Sequence, residues 1–501
     1  MSFEDMPVEV GVIYEGERVR KAQMLVEFGG PKIEHKYELC RAKKMDEIED
    51  MKVIVEGPDI SEMDEGKSYP LGMVIEVAGA QIEEELEGVF ERRMHEFCNY
   101  IQGFMHLNQR YDIWCRVSKD AFKKGLNSFQ YIGTILMRLY KAELSIIEKC
   151  QMRFITEPKK AEQGYEEALQ IYEARDARAR ALSDDDVEEF YGCVLCQSFA
   201  PSHCCVITPQ RMALCGAISW FDARASARID PKGPNFKIEK GECVDPFKGE
   251  YTGANAAVKE KSLGEVERVY LHTIFEYPHT SCGCFEAIAF YIPEVDGIAL
   301  AHRDFRGPTV NGLAFSTMAT SVGGGLQTEG FLGISIEYMR SPKFLQADGG
   351  WSRVVWAPAD IKERVKDGIP EELFDKVATE NDAMAVEDLK AFLKEKQHPI
   401  VESWAEEEVE EAIEAAPEVT AEAAGLTPQM QYQMPQPMQV PQMNVPVTAM
   451  PGMGGIQLQG FISLPGLVPP GAGDDKITLV LKGVKIFAEK AYIKREKKKG
   501  K

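Results

Sequence analysis

Positive charge is scarce in this sequence, and long apolar runs are missing from it. Its 58 lysine and arginine residues are outnumbered by 80 acidic residues, so the formal net charge is −22. A surface this acidic repels phosphate backbones and anionic lipid, so we expect neither nucleic acid nor a membrane as a partner. No stretch approaches the ~20 apolar residues of a membrane span, and the start, MSFEDMPVEV, lacks the layout of a signal peptide. The sequence therefore predicts a cytoplasmic protein.

Length and composition predict more than one folded domain. The 501 residues exceed the usual ~150-residue domain about threefold, and 44% of them are apolar, which is enough to form sizeable cores. Strand-like and helix-like patterns are mixed along the chain. We therefore predict a mixed α/β (α+β) fold of two domains, residues 1–165 and residues 166–400, the second of which carries the metal cluster.

Local patterns predict particular elements within these domains. Apolar residues recur at helical spacing over residues 81–108 and 119–144, which predicts two long helices. Strand-like runs occupy residues 9–15 and 266–277. Thr208-Pro209 followed by QRMALCG predicts a short helix that ends at Gly216.

The character of the chain changes after the second domain. Residues 401–475 begin with an acidic helix and continue as a low-complexity linker, with no charged residue over 423–473. Prolines and methionines crowd this stretch, which predicts a disordered tether. Residues 476–501 hold ten basic residues against two glutamates, a net +8. This basic tail either docks on a partner by strand addition or only solubilises the chain, and the sequence leaves both interpretations open.

The twelve cysteines are distributed unevenly. Seven of them lie in two short segments, 193–215 and 282–284. A disulfide framework is a poor explanation for a protein without an export signal. Clustered thiols in a reducing compartment usually bind metal, so we predict a metal site.

The first cysteine segment has the spacing C-x2-C-x8-C-x9-C. Its members are Cys193, Cys196, Cys205 and Cys215. Four thiolates suit either a tetrahedral zinc ion or an iron–sulfur cluster. The spacing matches neither common ferredoxin pattern, so it leaves zinc and cluster as equal alternatives.

The second segment, Cys282-Gly283-Cys284, predicts a different geometry. Two cysteines with one residue between them are too close to act as ordinary ligands of one zinc ion. Their two thiolates and two backbone nitrogens can instead close chelate rings around a square-planar metal, which suits Ni(II) or Cu(II). Glycine leaves the backbone free to wrap the metal. The thiolates keep lone pairs that can bridge to a second metal.

The two segments together resemble the acetyl-CoA synthase family. The order C-x2-C-x8-C-x9-C, then 66 residues, then C-G-C matches the family's metal-binding domain. Over about residues 1–400 the chain is similar to the β subunits of archaeal acetyl-CoA decarbonylase/synthase complexes. The family also includes a longer bacterial acetyl-CoA synthase, and the tether and the basic tail lie outside the resemblance to that enzyme.

The resemblance implies a nickel–nickel–4Fe–4S centre and assigns its ligands. The 4Fe–4S cluster would be held by Cys193, Cys196, Cys205 and Cys215, and Cys196 would also bridge to the first nickel. Cys282 and Cys284 would bridge the two nickel ions, and the backbone nitrogens of Gly283 and Cys284 would complete the second. Phe199 matches the aromatic residue that covers the small-ligand pocket, although it could also be an ordinary core residue.

The resemblance also implies the activity. The chain would be an acyltransferase that joins a corrinoid-bound methyl group, carbon monoxide and coenzyme A into acetyl-CoA, and that also cleaves acetyl-CoA. Its partners would be corrinoid iron–sulfur protein subunits and carbon monoxide dehydrogenase subunits, with ferredoxin as a further candidate. Its setting would be the cytoplasm of an anaerobic archaeon that carries out methanogenesis. The rival hypothesis is a non-catalytic iron–sulfur or zinc subunit of a larger complex.

Several other residues have predicted roles. Coenzyme A carries phosphates that an acidic chain must meet with local cations, and Arg303 and Arg306 are candidates. The run of three glycines at 323–325 fits no phosphate-binding motif and predicts a plain turn. We expect structural roles for three histidines, His272, His279 and His302.

Overall fold

A computed structural model describes residues 5–14 and 18–404 of the chain. The predicted basic tail, and the predicted linker from residue 405 onward, lie outside these residues. Helices with defined bounds are α1 (Glu87–Cys98), α2 (Lys119–Lys124), α3 (Phe129–Glu143), α4 (Pro158–Arg180), α5 (Trp220–Ile229), α6 (Thr252–Lys261), α7 (Phe315–Val322), α8 (Ala359–Arg364), α9 (Glu371–Phe374) and α10 (Val386–Glu395).

Two four-stranded sheets form the first part of the structure. Their strands are β1 (Met24–Gly29), β2 (Lys36–Ala42), β3 (Val53–Glu56), β4 (Ser68–Tyr69), β5 (Leu71–Ala78), β6 (Phe104–Leu107), β7 (Trp114–Ser118) and β8 (Lys149–Ile155). The strand orders are β4-β1-β7-β6 and β2-β5-β8-β3. Strand β5 pairs in parallel with β2 and antiparallel with β8. Its sequence LGMVIEVA is mostly apolar because a central strand with both faces covered is almost wholly buried.

Three further sheets, of three, two and four strands, form the second part. Their strands are β9 (Glu189–Cys193), β10 (Cys205–Ile207), β11 (Asn235–Glu239), β12 (Cys243–Asp245), β13 (Glu250–Tyr251), β14 (Ala287–Ile292), β15 (Gly297–His302), β16 (Phe331–Ile334) and β17 (Val354–Trp356). The strand orders are β10-β9-β11, β12-β13 and β16-β14-β15-β17. Strand β9 ends, and strand β10 begins, at a cysteine of the predicted metal site, so this small sheet positions the site.

Helix α1 contributes to the two largest hydrophobic cores. Phe90, Met94 and Phe97 pack into the core of the first part, which draws on residues 6–154 with Ala225. Val89 packs into the core of the second part, which otherwise draws on residues 187–400. Nearly every side chain of this helix is therefore buried, including charged ones.

Both long helices predicted from the sequence are shorter in the structure. The helix predicted over 81–108 ends at Cys98, because the Asn99 side chain donates to the carbonyls of His95 at 2.9 Å and His106 at 2.8 Å and turns the chain. Residues 104–107 then form β6. The helix predicted over 119–144 divides into α2 and α3, because Gly125 adopts a φ of +111° and ends α2.

Three further predictions of local structure were wrong. Residues 208–216 form two turns, one closed by backbone hydrogen bonds between Thr208 and Arg211 and one by a bond from the Gly216 N–H to the Ala213 carbonyl. The buried Arg211 side chain is held by the carbonyls of Val206 and Leu271. Residues 266–277 form only a single bridge, from Tyr270 to Pro278. Residues 12–14 form a turn of 3-10 helix rather than a strand, with Val12 63% and Ile13 77% exposed.

The mixed α/β fold class is confirmed. Several separate sheets alternate with helices along the chain. The division at residues 165 and 166 stays a prediction. Within residues 5–14 and 18–404, no helix combines the length and the apolar character needed to cross a membrane.

A glycine in α1 generates the first testable prediction. A Cβ atom at Gly88 would lie 2.5 Å from the Ala217 carbonyl oxygen and 2.7 Å from Oδ1 of Asp222. Alanine ordinarily favours a helix over glycine, but here it would push α1 away from the second part of the structure. We expect Gly88→Ala to lower the free energy of unfolding by about 1–3 kcal/mol, measured by urea denaturation of the full chain.

The matched control is Gly11→Ala. A Cβ atom there would meet nothing within 4 Å, so we expect a change of no more than about 0.5 kcal/mol. Equal stability of Gly88→Ala and the unsubstituted chain would contradict the close packing of α1.

Candidate metal centre

Strands β9 and β10 bring two of the predicted thiols together. Cys193 ends β9 and Cys205 begins β10, and the two residues are directly opposite in the antiparallel register. Directly opposed residues of an antiparallel pair have their Cβ atoms within about 5.5 Å. Both cysteines are buried. Burial raises the pKa of Cys193 to about 12, and the neighbouring Cys205 acts in the same direction.

Turns place the other two cysteines of the first segment. The chain leaves β9 in a turn in which the Cys196 carbonyl accepts from the backbone N–H groups of Phe199 at 3.2 Å and Ala200 at 2.9 Å. Cys215 lies in a turn that Gly216 closes with a φ of +70°. Burial raises the pKa of Cys215 to about 12, although Arg92 opposes the shift. All four thiols of the segment are therefore enclosed by protein.

The Cys282-Gly283-Cys284 loop has a backbone conformation that favours glycine. Gly283 adopts a φ of +133°, which other residues rarely adopt. The loop curls so tightly that the Cys284 backbone N–H donates to Sγ of Cys282 at 3.2 Å. A thiol sulfur and the amide nitrogen two residues later thus lie on the same side of the turn, as a chelating loop requires.

Two neighbouring segments hold this loop in place. The backbone N–H of Gly324 donates to the Cys282 carbonyl at 2.7 Å, and that of Gly325 donates to the Ser281 carbonyl at 2.9 Å. The Arg303 guanidinium donates to the carbonyls of Gly283 and Phe285. The glycine run at 323–325 forms a bend, as its composition predicts. Its role in supporting the cysteine loop could not be read from the sequence.

Three thiols from the two segments converge on one point. The Sγ atoms of Cys196, Cys282 and Cys284 all lie within 4.8 Å of one another. Hydrogen bonds from the thiols of Cys196 and Cys282 outweigh burial and hold the pKa of Cys284 well below its usual range. The structure therefore brings together the three residues for which the sequence predicted a shared metal.

The donor set fits soft metal ions. Thiolates bind nickel, copper, zinc and iron–sulfur clusters in preference to hard cations. In the part of the chain that the structure describes, the three-thiol group is the single set of three or more His, Cys, Asp or Glu donors with single-ion spacing. Four thiolates around one zinc ion would lie about 4 Å apart. No three of the C-x2-C-x8-C-x9-C thiols form such a group among the described residues.

Phe199 borders the cleft that leads to the cysteine loop. It is 39% exposed, and a Cβ atom at Gly283 would lie 3.5 Å from Cε2 of its ring. The cleft has a volume of about 600 Å³ and is lined by Phe199 and all three residues of the Cys282–Cys284 loop. The ring is thus placed beside the loop and is not an ordinary core residue.

Helix α1 supplies two site residues that sequence reasoning missed. Nη2 of Arg92 donates to Sγ of Cys196 at 3.3 Å, and Nε2 of His95 lies 4.0 Å from Sγ of Cys284. Both side chains are buried. The only sequence signal was their spacing: Val89, Arg92 and His95 recur every three residues, which places polar side chains in line with a buried apolar residue.

His95 ends a buried chain of hydrogen bonds. Its Nδ1 lies 2.9 Å from Nδ1 of His106, whose Nε2 lies 2.7 Å from the Glu38 carboxyl. A carboxylate only accepts, so Nε2 of His106 donates to Glu38. Nε2 of His95 faces Sγ of Cys284, and a hydrogen bond between them lowers the pKa of the cysteine. Burial lowers the pKa of His95 to about 4, which keeps the ring neutral.

Positive charge gathers in the cleft although the chain is strongly acidic overall. Arg18, Arg303 and Arg306 all line it, together with Trp114. The Arg306 guanidinium lies 5.2 Å from the centre of the Trp114 ring. Arg303 and Arg306 were candidates from the sequence, whereas Arg18 and Trp114 were not anticipated. The cleft can therefore bind an anion next to the three thiols.

The three histidines expected to be structural have such roles. Nε2 of His279 accepts from the Val206 backbone N–H at 3.0 Å and so supports β10. His272 stacks on Tyr338, and His302 pairs with Asp360 at 2.9 Å.

Comparisons with known proteins identify relatives along nearly the whole chain. Residues 6–161 match the family "CO dehydrogenase/acetyl-CoA synthase complex beta subunit", and residues 172–405 match the family of the C-terminal part of the ACS/CODH beta subunit. The chain is 51% identical over 494 residues to the acetyl-CoA decarbonylase/synthase complex subunit beta of Methanothermobacter thermautotrophicus. That match covers 99% of this chain and 100% of the relative.

Two further relatives cover less of the chain. Subunit beta 2 of the same complex from Methanosarcina acetivorans is 56% identical over 401 residues, which is 80% of this chain and 85% of the relative. A solved structure of the C-terminal domain of the acetyl-coenzyme A synthase alpha subunit is 41% identical, with a TM-score of 0.22. It covers 24% of this chain and 95% of its own.

Proposed function

The chain belongs to the family of CO dehydrogenase/acetyl-CoA synthase complex β subunits, and we propose that it is the acyltransferase that makes and cleaves acetyl-CoA. The observation that carries the proposal is the convergence of Cys196, Cys282 and Cys284 within 4.8 Å at the end of a cationic cleft. The reaction joins a corrinoid-bound methyl group, carbon monoxide and the thiol of coenzyme A, and it runs in both directions.

The residues that would hold the metal groups are those that the resemblance to the acetyl-CoA synthase family implies, and the convergence of Cys196, Cys282 and Cys284 supports the assignment. Cys193, Cys196, Cys205 and Cys215 would hold a 4Fe–4S cluster. Cys196, Cys282 and Cys284 would hold a first nickel through sulfur, and a second nickel would take the two loop thiolates with the backbone nitrogens of Gly283 and Cys284. When bound, thiolate-ligated nickel supplies an electron-rich, coordinatively open metal that suits carbon monoxide and a methyl group.

The chain contributes positioning and shelter to this chemistry. Arg303 and the glycine run fix the Cys282–Cys284 loop, so the two thiolates keep their spacing. Burial of the four thiols of the first segment would shield a bound cluster from water and oxygen. The Phe199 ring lies beside the loop at the cleft, where it would narrow the approach of small ligands.

The cationic cleft is the proposed binding site for coenzyme A. The Arg303 side chain is occupied by two backbone carbonyls. Within the described residues, neither Arg18 nor Arg306 forms an ion pair with a carboxylate, and both line the cleft. Guanidinium groups bind phosphates through paired hydrogen bonds. If the phosphates of coenzyme A bound at Arg18 and Arg306, the thiol end of coenzyme A could reach toward Cys284.

The partners follow from membership of a multi-subunit complex. The family is named for a complex of several subunits, so this chain works with other subunits. We assign the methyl donor to corrinoid iron–sulfur subunits and the source of carbon monoxide to carbon monoxide dehydrogenase subunits. Ferredoxin is the proposed electron carrier.

The second testable prediction separates the enzyme from the rival non-catalytic subunit. The double substitution Cys282→Ser/Cys284→Ser removes two soft ligands but none of the four thiols proposed for the iron cluster. We expect it to abolish nickel binding and acetyl transfer while iron content stays unchanged. Elemental analysis of anaerobically purified protein and an acetyl-transfer assay measure both effects.

The control for this variant is Cys204→Ser. Cys204 is a buried cysteine next to Cys205, and it has no part in the three-thiol group. We expect it to keep nickel, iron and activity. Acetyl transfer that survived the double substitution would contradict the assignment of catalysis to the Cys282–Cys284 loop. Absence of nickel and of acetyl transfer in the unsubstituted chain would instead favour the rival hypothesis, an iron–sulfur or zinc subunit without catalysis.

The third prediction tests the coenzyme A site. Loss of one charged hydrogen bond costs about 1.5–3 kcal/mol, and 1.4 kcal/mol is a factor of ten in affinity. We therefore expect Arg18→Met and Arg306→Met each to raise the KM for coenzyme A roughly tenfold or more, with the kcat of the reconstituted enzyme little changed.

Arg228→Met is the matched control for these variants. Arg228 is an exposed arginine that pairs with Glu83 outside the cleft, so its loss should leave the KM for coenzyme A unchanged. If both cleft variants also kept the original KM, coenzyme A would have to bind elsewhere.

A further inference from the structure

Arg92 is a buried arginine that points at a sulfur instead of a carboxylate. It is 1% exposed, and its Nη2 donates to Sγ of Cys196 at 3.3 Å. Nη1 is also buried and has no hydrogen-bond partner among the described residues. Among the described residues, Nη1 of this guanidinium therefore has no acceptor, while Nη2 contacts one of the proposed metal-binding thiols.

Two other buried arginines close to helix α1 are neutralised by carboxylates. Arg110 forms two hydrogen bonds with Asp176, at 2.7 and 3.1 Å. Arg175 pairs with Glu87 and with Glu91. Arg92 has no such ion pair in the part of the chain that the structure describes. Because a guanidinium stays protonated in proteins, its buried charge needs a different counter-charge.

The group that faces Arg92 is cysteine sulfur, which would carry negative charge as a thiolate on a bound metal. Nη2 of Arg92 lies 3.3 Å from Sγ of Cys196. The Glu96 carboxylate is itself bound by Arg93 at 2.7 Å and by the Tyr100 hydroxyl at 2.6 Å. Among the described residues, cysteine sulfur rather than a carboxylate is therefore the acceptor that Arg92 contacts.

We propose that Arg92 is a positioning residue that places a buried positive charge and an N–H···S hydrogen bond on Cys196, and thereby raises the reduction potential of the iron–sulfur centre. The inference rests on the proposed function, because it requires that centre. Hydrogen bonds to cluster sulfurs and nearby net charge are the main means by which a protein sets such a potential. Cys196 is the thiol shared between the proposed cluster and the first nickel, so Arg92 acts at the junction of the two.

The direction of the effect follows from electrostatics. Reduction adds one electron to a centre that already carries thiolate charge. A buried cation at hydrogen-bond distance stabilises the added electron more than it would in water, because the surroundings screen it less. Removing the cation must make reduction harder, which is a shift to a more negative potential.

The fourth prediction measures this shift with Arg92→Met, which keeps the length of the side chain and removes its charge. We expect the reduced-to-oxidised ratio of the centre at a fixed potential to fall at least tenfold, equivalent to 59 mV for a one-electron couple. The readout is a redox titration of the full chain followed by EPR, with iron content measured on the same samples. It is independent of acetyl transfer.

Arg93→Met is the matched control. Arg93 is the next residue of the same helix and pairs with Glu96 and Glu143, away from the thiols, so we expect the original potential. Arg92→Lys restores the positive charge without the planar guanidinium, so its reduction potential should return most of the way to that of the unsubstituted chain. Where Arg92→Met fails to hold iron, the neutral Arg92→Gln carries the same expectation.

The outcomes separate this inference from the proposed function. An unchanged or more positive potential in the neutral Arg92 variants, with a normal signal in the unsubstituted chain, would overturn the role of Arg92 alone. An equal negative shift in Arg93→Met would also overturn it, because the effect would then be general to the helix. Absence of any iron–sulfur signal in the unsubstituted chain would overturn both the proposed function and this inference.

Discussion

The structure depends on holding three sulfur atoms from two distant segments within 4.8 Å of one another. Thiolates repel one another and lose solvation when buried, so such a group persists only with soft metal ions and well-placed donors around it. The β9–β10 pair fixes one segment, and the glycine run with Arg303 fixes the other.

Helix α1 connects the first part of the chain to this arrangement. It packs into the cores on both sides, and it presents Arg92 to Cys196 and His95 to Cys284. The site is therefore built from both parts of the chain. The close contact of Gly88 with Ala217 fixes the distance of the helix from the second part. A small movement of α1 would therefore shift both the Arg92 guanidinium away from Cys196 and the His95 imidazole away from Cys284.

The metal-binding cysteines could be predicted from the sequence because the spacing of cysteines along a short segment already indicates metal binding. Cys282-Gly283-Cys284 and the C-x2-C pair predict chelation without any knowledge of the fold. Arg92, His95 and Trp114 were missed because their role comes from contacts with residues about 100 or more positions away.

The strand predicted over 266–277 was wrong for a related reason: its apolar residues pack into cores, and no strand pairs along it. Residues 208–216 turn instead of forming a helix because the buried Arg211 side chain takes two carbonyls from neighbouring segments.

The most direct test of the account is the metal content of anaerobically purified full-length protein, together with the EPR spectrum after reduction and exposure to carbon monoxide. The account predicts about four iron and about two nickel ions per chain, as a thiolate-bound cluster with an adjoining dinickel site requires. It also predicts a signal that appears only with carbon monoxide and couples to both metals. Zinc as the only metal, with no iron and no response to carbon monoxide, would contradict the catalytic centre.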